Sequence, residues 1–219
     1  MSLEQKRIEG ARYHGTTTVG MVCSDGVVLG TDTRVTAGGN IAHKRGKKLL
    51  QVDENLAMTI SGGVADAQNV VDTLRYYANI HRVEKGELLP VRSAARIVSN
   101  VLFANRYYPL IAIVLVGGYD RTGGALYNVD FFGSLVQEKQ MTATGSGSPV
   151  AFGVLEEGYQ EGMPVSKGVA LAANALISAM RRNVATGDHF DIAIIDKAGF
   201  REVSEQEKDK LLAQFPGRS

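Results

Sequence analysis

The sequence has little of what marks a secreted, membrane-embedded or nucleic-acid-binding protein. Cys23 is the only cysteine among 219 residues, so no disulfide can form within the chain, and this usage fits a reducing compartment. No apolar run approaches the ~18 residues of a membrane-spanning helix, and the first fifteen residues lack the apolar core of a secretory signal. With 24 Lys and Arg against 23 Asp and Glu, no charge excess attracts nucleic acid or an anionic membrane. We expect a cytoplasmic globular protein that binds neither.

Metal and nucleotide motifs are also missing. The histidines His14, His43, His81 and His189 have no metal-ligand spacing and no cysteine cluster beside them. The glycine-rich stretch 145–148 is not followed by the Gly-Lys-Ser/Thr of a phosphate-binding loop, and it does not fit a nucleophile elbow. A tight turn before a helix is its simplest interpretation. We expect neither a metal nor a cofactor.

A glycine followed by three threonines, Gly15 to Thr18, stands at the start of a β-type run. If the chain is cut between Gly15 and Thr16, Thr16 gains a free amine beside its own hydroxyl. An α-amino group titrates near pH ~7.7–8.0 and can accept the hydroxyl proton at neutral pH. Thr16 would then be nucleophile and base in one residue. Threonines also favour strands for packing reasons, so the triplet alone leaves a structural role open.

Two charged residues are expected near Thr16. Asp25-Gly26 lies between two β-prone runs and predicts a hairpin turn. Folding back places Thr16 opposite residues 34 to 36, for a loop of two or three residues, and brings Asp32 close, with a facing that depends on register. Lys48 enters a buried-looking strand, where its ammonium must be paired, and Asp32 is the nearest candidate. A paired Lys48 would disfavour protonation of the Thr16 amine; a solvated Lys48 is the structural alternative.

The hydrophobic periodicity changes several times along the chain. It predicts strands up to Ser61, helices from Val64 and after Pro90, further strands, two more helices, a buried strand and a terminal helix with a Ser204/Glu207 capping box. Runs of strands alternating with runs of helices favour an α+β protein over a doubly wound sheet. Two antiparallel sheets packed face to face, with helix pairs outside, would satisfy every apolar face.

Five ordered motifs resemble a β subunit of the proteasome core particle, of the archaeal kind. They are Gly-Thr-Thr-Thr-Val-Gly at 15–20, Gly-Thr-Asp-Thr-Arg at 30–34, Gly-Lys-Lys-Leu at 46–49, Ser-Gly-Gly-Val-Ala-Asp-Ala-Gln at 61–68 and Ala-Thr-Gly-Ser-Gly-Ser-Pro at 143–149. The resemblance implies an N-terminal-nucleophile hydrolase with a four-layer αββα fold. It further implies a propeptide of residues 1–15 and a single hydrolase domain of residues 16–219.

The same resemblance implies partners and a catalytic centre. The partners are other β subunits in a heptameric ring, proteasome α subunits, an opposing β ring and, indirectly, a regulatory ATPase; the substrate is unfolded polypeptide. Thr16 is the nucleophile, exposed by autocatalytic cleavage after Gly15, with Asp32 and Lys48 as a charge pair beneath it. Gly62 offers its backbone N–H to the oxyanion.

Substrate-binding residues follow from the resemblance as well. Thr36 and Val64 would hold the substrate backbone as an added strand, a known mode of peptide recognition. Val35, Gly46, Ile60 and Val64 would line an apolar first pocket. This lining predicts cleavage after large hydrophobic residues.

One stretch departs from the family pattern. Ser146 matches a serine that hydrogen-bonds near the nucleophile's amine, but the chain has Asn183 and Thr186 where the family usually carries Asp and Ser. Thr186 keeps a hydroxyl, whereas Asn183 keeps an acceptor and loses a negative charge, which predicts reduced activity or maturation. An inactive structural β subunit that shares rings with an active paralogue is therefore the alternative. A six-fold ring peptidase of the bacterial two-component type is disfavoured by the segment 145–149 and by the chain length.

Overall fold

A computed structural model describes residues 15–37 and 40–215, apart from the side chain of Val64. Of the expected propeptide, only Gly15 lies within the described residues. The strands in this part of the chain are β1 (Thr17–Val22), β2 (Gly26–Asp32), β3 (Val35–Ala37), β4 (Asn40–His43), β5 (Leu49–Asp53), β6 (Leu56–Gly62), β7 (Ala112–Asp120), β8 (Gly123–Val129), β9 (Leu135–Glu138), β10 (Met141–Gly145), β11 (Phe190–Asp196) and β12 (Gly199–Glu202). The helices are α1 (Val64–Lys85), α2 (Val91–Ala104), α3 (Ser148–Gly158), α4 (Val165–Arg182) and α5 (Glu205–Ala213).

Two five-stranded antiparallel sheets form the centre of the molecule. One has the order β10-β1-β2-β11-β12 and the other β5-β6-β7-β8-β9, with β3 and β4 as a separate hairpin. Apolar side chains such as Leu29, Leu115 and Leu126 fill the space between the sheets. Helices α3 and α4 cover the outer face of the first sheet, and α1 and α2 cover that of the second. These four layers confirm the predicted αββα sandwich of the α+β class.

Burial on both faces accounts for the continuous apolar runs in the sequence. Strand β7 lies between β6 and β8, and β2 lies between β1 and β11, where all of its residues are buried. A strand that packs against the other sheet on one face and a helix on the other needs apolar residues at every position. The predicted capping box at the start of α5 is present, because Ser204 and Glu207 bond each other's backbone N–H.

The first hairpin is displaced from its predicted turn. The N–H of Cys23 donates to the carbonyl of Gly26 at 2.8 Å, so Ser24 and Asp25 form the turn and Gly26 begins β2. Thr18 pairs with Thr31, which puts Thr16 opposite residue 33; the expected range of 34 to 36 was wrong. Gly26 serves sheet packing, since a Cβ there would lie 2.7 Å from the Ile195 carbonyl oxygen.

Two short strands were not predicted, and both lack an apolar signal. Every residue of β4 is exposed, and β12 is only half-buried. Without a buried face, a strand shows no alternation that could mark it in the sequence. Within the described ranges, no helix combines the length and apolarity that crossing a membrane requires.

The single cysteine lies in the core between β1 and α4. Gly168 of α4 comes so close that a Cβ there would lie 2.8 Å from the Cys23 sulfur. Burial, with a smaller contribution from the Asp25 carboxylate, raises the pKa of the Cys23 thiol to about 11. Only the thiolate is a strong nucleophile, so this thiol is inert at neutral pH.

We expect Cys23 to resist iodoacetamide in the folded protein at pH 8. The side chain is 7% exposed and almost entirely protonated at that pH. Intact mass after timed exposure measures the effect, and the same chain unfolded in guanidinium is the control, where labelling should be complete. Rapid labelling of the folded chain would contradict this description of the core.

Candidate functional site

Thr16 precedes β1 by one residue and is buried, with 3% of its surface exposed. It is joined to Gly15, so its nitrogen is an amide, and its Oγ1 donates to the Gly15 carbonyl oxygen at 2.7 Å. The Gly15 N–H donates to Thr36 Oγ1 at 3.0 Å, and a Cβ on Gly15 would overlap Ala185. The Gly15-Thr16 peptide bond is thus held between the loop of Ala185 and the β3 hairpin, with the Thr16 hydroxyl beside its carbonyl group.

Asp32, at the end of β2, connects the segments around Thr16. Its Oδ1 accepts the Thr17 N–H at 2.9 Å and the Lys48 ammonium at 2.9 Å. Its Oδ2 accepts the N–H groups of Arg34 at 3.1 Å and Gly187 at 3.0 Å. The side chain is completely buried. Four donors satisfy a carboxylate that would otherwise be costly to bury.

The ion pair expected between Asp32 and Lys48 is present in the structure. Lys48 is 5% exposed, which rules out the solvated alternative. Burial lowers the pKa of the Lys48 ammonium and raises the pKa of the Asp32 carboxyl, while the attraction between the two groups opposes both shifts. Lys48 and Thr16 line the same cavity, and the Lys48 ammonium bonds the Asp32 oxygen that also accepts the Thr17 N–H.

Gly62 ends β6 beside Thr16 in a conformation that favours glycine. Its φ is +123°, and a Cβ would overlap the carbonyl oxygen of Ile111. Gly63 follows with an ordinary φ of −70° and begins α1 as its N-cap. Gly62 and Thr16 line the same cavity.

The expected substrate residues are brought together in part. Val35, Thr36 and Ile60 line that cavity with Thr16 and Lys48. Gly46 packs directly against the Val35 side chain, since a Cβ on Gly46 would overlap it. The side chain of Val64 lies outside the described residues. The cavity volume is about 20 Å³, which holds about one water molecule, so a large side chain enters only after neighbouring groups move.

Ser146, Asn183 and Thr186 meet at one oxygen atom. Asn183 Oδ1 accepts the hydroxyls of Ser146 and Thr186, each at 3.0 Å, and the Ala185 N–H at 3.1 Å. Because the Ala185 N–H can only donate, it identifies this atom as the amide oxygen. Ser146 also approaches the Thr16 carbonyl oxygen, at 3.5 Å. Asn183 therefore provides three hydrogen bonds as an acceptor without a charge.

Sequence reasoning missed Arg34 and two glycines. Arg34 forms a two-bonded ion pair with Asp188, at 3.1 Å for each bond, and donates to the Val184 carbonyl at 2.7 Å. It thereby holds the loop that carries Asn183. Gly145 has a φ of +86° and would overlap the Thr16 carbonyl oxygen with a Cβ, and Gly147 would likewise overlap Thr17. All three residues belong to quoted motifs, Arg34 to 30–34 and the two glycines to 143–149, but no role near Thr16 was assigned to them.

Comparison with known proteins agrees with this architecture. A family profile described as "Proteasome subunit" matches residues 12–195. The chain is 48% identical over 205 residues to "Proteasome subunit beta 2" of Nitrosopumilus maritimus, covering 94% of this chain and 97% of that protein. It is 46% identical over 198 residues to "Proteasome subunit beta" of Methanococcus aeolicus, covering 90% and 91%. For the protein of the same description from Methanosarcina barkeri, the identity is 41% over 202 residues, covering 92% and 96%.

Two packed antiparallel sheets between helix pairs define a four-layer sandwich fold of the αββα class. The long match to the family profile and these identities then settle the family. The chain belongs to the proteasome subunit family, and archaeal β subunits are the relatives that it resembles over nearly its whole length. Membership implies peptidase function in general and assembly with other proteasome subunits.

Proposed function

We propose that this chain is a catalytic β subunit of a proteasome core particle, a threonine endopeptidase that degrades unfolded polypeptides to short peptides. Residues 1–15 are a propeptide removed by autocatalytic cleavage at Gly15-Thr16, and residues 16–219 are one hydrolase domain. The subunit assembles in the cytoplasm into a heptameric ring with other β subunits, against proteasome α subunits and an opposing β ring. A regulatory ATPase acts on it indirectly.

The setting of Thr16 is the observation that carries the proposal. The residue after Thr16 donates its N–H to Asp32 Oδ1, and the same oxygen holds the Lys48 ammonium at 2.9 Å. Removing two charges from water is costly, and the attraction within a buried ion pair often does no more than offset that cost. A role in tuning the Thr16 amine accounts for its presence, because a nearby cation lowers the pKa of an amine and leaves more of it unprotonated at neutral pH, free to accept a proton.

The proposed reaction uses one residue as nucleophile and base. After cleavage at Gly15, the Thr16 amine takes the proton of its own hydroxyl while Oγ1 attacks the peptide carbonyl carbon. The Gly62 N–H stabilises the negative charge on the carbonyl oxygen. The amine then gives its proton to the leaving nitrogen as the C–N bond breaks. Water, deprotonated by the same amine, hydrolyses the acyl ester and restores the hydroxyl.

A cleavage assay on the assembled particle tests this function. The full chain is assembled with proteasome α subunits and given a fluorogenic peptide with a hydrophobic residue before the cleavable bond. Thr16-dependent turnover is expected, so Thr16→Ala should remove it. Activity that survives in Thr16→Ala particles would contradict the assignment. A matching peptide with an acidic residue before the bond tests the expected hydrophobic preference.

A structural β subunit with little activity is the second candidate. It is suggested by Asn183, which lacks the negative charge of the aspartate that the family usually carries there. The assay separates the two, because robust turnover by particles that contain no other β subunit excludes the structural role. The three hydrogen bonds to Asn183 Oδ1 favour the catalytic candidate. They keep Ser146 and Thr186 in place without the carboxylate.

Asn183→Asp should move the acidic limb of the activity profile to higher pH. An added carboxylate stabilises the protonated Thr16 amine, raises its pKa and so delays formation of the free base. The pH dependence of kcat/KM, which reports the free enzyme, measures the shift. Glu157→Gln, a change on the exposed end of α3, is a control that should leave the limb unchanged. A limb that stays in place or moves to lower pH in Asn183→Asp would contradict the electrostatic argument.

A further inference from the structure

Thr17 follows the proposed nucleophile and has no part in the reaction described above. It is completely buried, and two of its groups bond different parts of the site. The N–H donates to Asp32 Oδ1 at 2.9 Å, and the hydroxyl lies 2.8 Å from the hydroxyl of Thr186. Thr17 therefore joins the start of β1 to the loop that carries Asn183.

Asn183 determines the direction of the hydrogen bonds that connect it to Thr186 and Thr17. Asn183 Oδ1 can only accept, so Thr186 must donate its single hydroxyl proton to it, at 3.0 Å. Thr186 Oγ1 is then the acceptor for Thr17. Ser146 donates to the same Asn183 oxygen from the other side, at 3.0 Å. A continuous series of bonds thus runs from Thr17 through Thr186 and Asn183 to Ser146.

The space for the Thr17 hydroxyl is provided by Gly147. A Cβ on Gly147 would overlap Thr17 Oγ1 and would approach Thr186 Oγ1 to 3.0 Å. The glycine therefore allows the two threonine hydroxyls to meet. Gly147 also brings its N–H to 3.5 Å from the Thr16 carbonyl oxygen. The Thr17 contact and the position of Thr16 depend on the same close approach of β1 to the turn after β10.

The next residue of β1 offers a direct comparison. Thr18 is also completely buried, and its hydroxyl lies 2.6 Å from that of Thr144 on β10. Successive side chains of a strand point to opposite faces of the sheet. The Thr18–Thr144 contact is thus a pair of bonded threonine hydroxyls on the opposite face of the sheet. Among the described residues, no hydrogen bond of this pair reaches the loop of Asn183.

We propose that Thr17 is a positioning residue: its hydroxyl, bonded to Thr186, fixes the loop that sets Asn183 and Ser146 against Thr16. The inference rests on the proposed peptidase function. Valine in place of Thr17 exchanges the hydroxyl for a methyl group, which prefers ~3.5–4.0 Å to a neighbouring heavy atom. Thr186 and the acceptor oxygen of Asn183 are then displaced. A displacement of this kind lowers the rate of chemistry more than the affinity for substrate.

The test compares Thr17→Val, Thr17→Ser and Thr18→Val in the assembled particle, with intact mass giving the fraction of chains that begin at Thr16. We expect kcat per processed chain to fall about tenfold or more in Thr17→Val, with KM changed less than about twofold. Thr17→Ser keeps the hydroxyl and should return kcat to within about threefold of the wild type. Thr18→Val should lower the melting temperature about as much as Thr17→Val while leaving kcat unchanged.

The outcomes separate this inference from the function on which it rests. Equal kcat for Thr17→Val and the wild type, equal losses in Thr17→Val and Thr18→Val, or no recovery in Thr17→Ser would each overturn the positioning role, while Thr16-dependent cleavage by the wild type still supports the peptidase. Wild-type particles without Thr16-dependent cleavage would overturn both.

Discussion

Lys48→Met is expected to lower peptide cleavage by a factor of about 10²–10⁴, the usual contribution of a tuned general base. The Lys48 ammonium bonds Asp32 Oδ1 at 2.9 Å and is 5% exposed. Methionine has a similar length but no charge. Without the cation, a free Thr16 amine becomes easier to protonate and is less available as a base at neutral pH.

The same substitution should cost the fold about 3–5 kcal/mol, because it leaves a buried carboxylate without its partner. The backbone N–H groups that remain on Asp32 compensate only in part. Protonated Asp32 needs no cation, so the loss of stability should shrink as the pH falls. Denaturant unfolding at neutral and mildly acidic pH measures this, and fluorogenic turnover measures the activity.

Lys47→Met is the matched control for Lys48→Met. Lys47 precedes it in the chain, but its side chain is 47% exposed, and it bonds Glu202 on the surface at 2.6 Å. Surface ion pairs contribute about 0–1 kcal/mol, so this variant should keep both stability and turnover. Activity of Lys48→Met within about threefold of the wild type, or an equal loss in Lys47→Met, would contradict the role given to the buried pair.

Gly62→Ala is expected to reduce kcat by about 10²–10³, the usual loss for one oxyanion donor. The backbone at Gly62 has a φ of +123°, and a Cβ would overlap the Ile111 carbonyl oxygen. Alanine therefore forces the end of β6 to move, which turns the N–H away from the developing charge. The contact exists only in the transition state, so kcat and kcat/KM should fall together. Strain of this kind should also cost about 1–3 kcal/mol of stability.

The neighbouring glycine provides the control for Gly62→Ala. Gly63 has a φ of −70°, and a Cβ there would lie 3.4 Å from Asp66 Oδ2, an ordinary contact. Gly63→Ala should therefore change kcat little, and it should cost at most about 1 kcal/mol of stability, because alanine is less favourable than glycine at an N-cap. Steady-state kinetics and thermal melts on both variants measure the difference. A Gly62→Ala variant with wild-type kcat would remove Gly62 from the proposed mechanism.

The sequence predicted the layers of the fold because burial controls hydrophobic periodicity. Strand β7 reads as a continuous apolar run and α4 as an amphipathic helix, and both lie where those patterns require. Strand β4, whose residues are all exposed, has no such pattern, and β3 is only three residues long. The first hairpin was predicted in the right place, but its turn was predicted one residue too late, at Asp25-Gly26. In the sequence, a glycine needed for sheet packing cannot be distinguished from a glycine needed for a turn.

The candidate site was predictable only where side chains carry the signal. A buried lysine demands a carboxylate, and Asp32 supplies it to Lys48. Three further donors to Asp32 are backbone N–H groups, which every residue except proline has. Their arrangement depends on how the loop after α4 folds against β1. Gly145 likewise matters because the chain passes close to Thr16, and spacing in the sequence does not report that distance.

The intact mass of the chain isolated from assembled particles tests the proposed mechanism at its first step. Exposure of the Thr16 amine is the step on which nucleophile, base and charge pair all depend. We predict that wild-type chains begin at Thr16 and that Thr16→Ala chains keep Gly15. Active particles in which the wild-type chain keeps its Gly15-Thr16 bond, or begins at another residue, would contradict it.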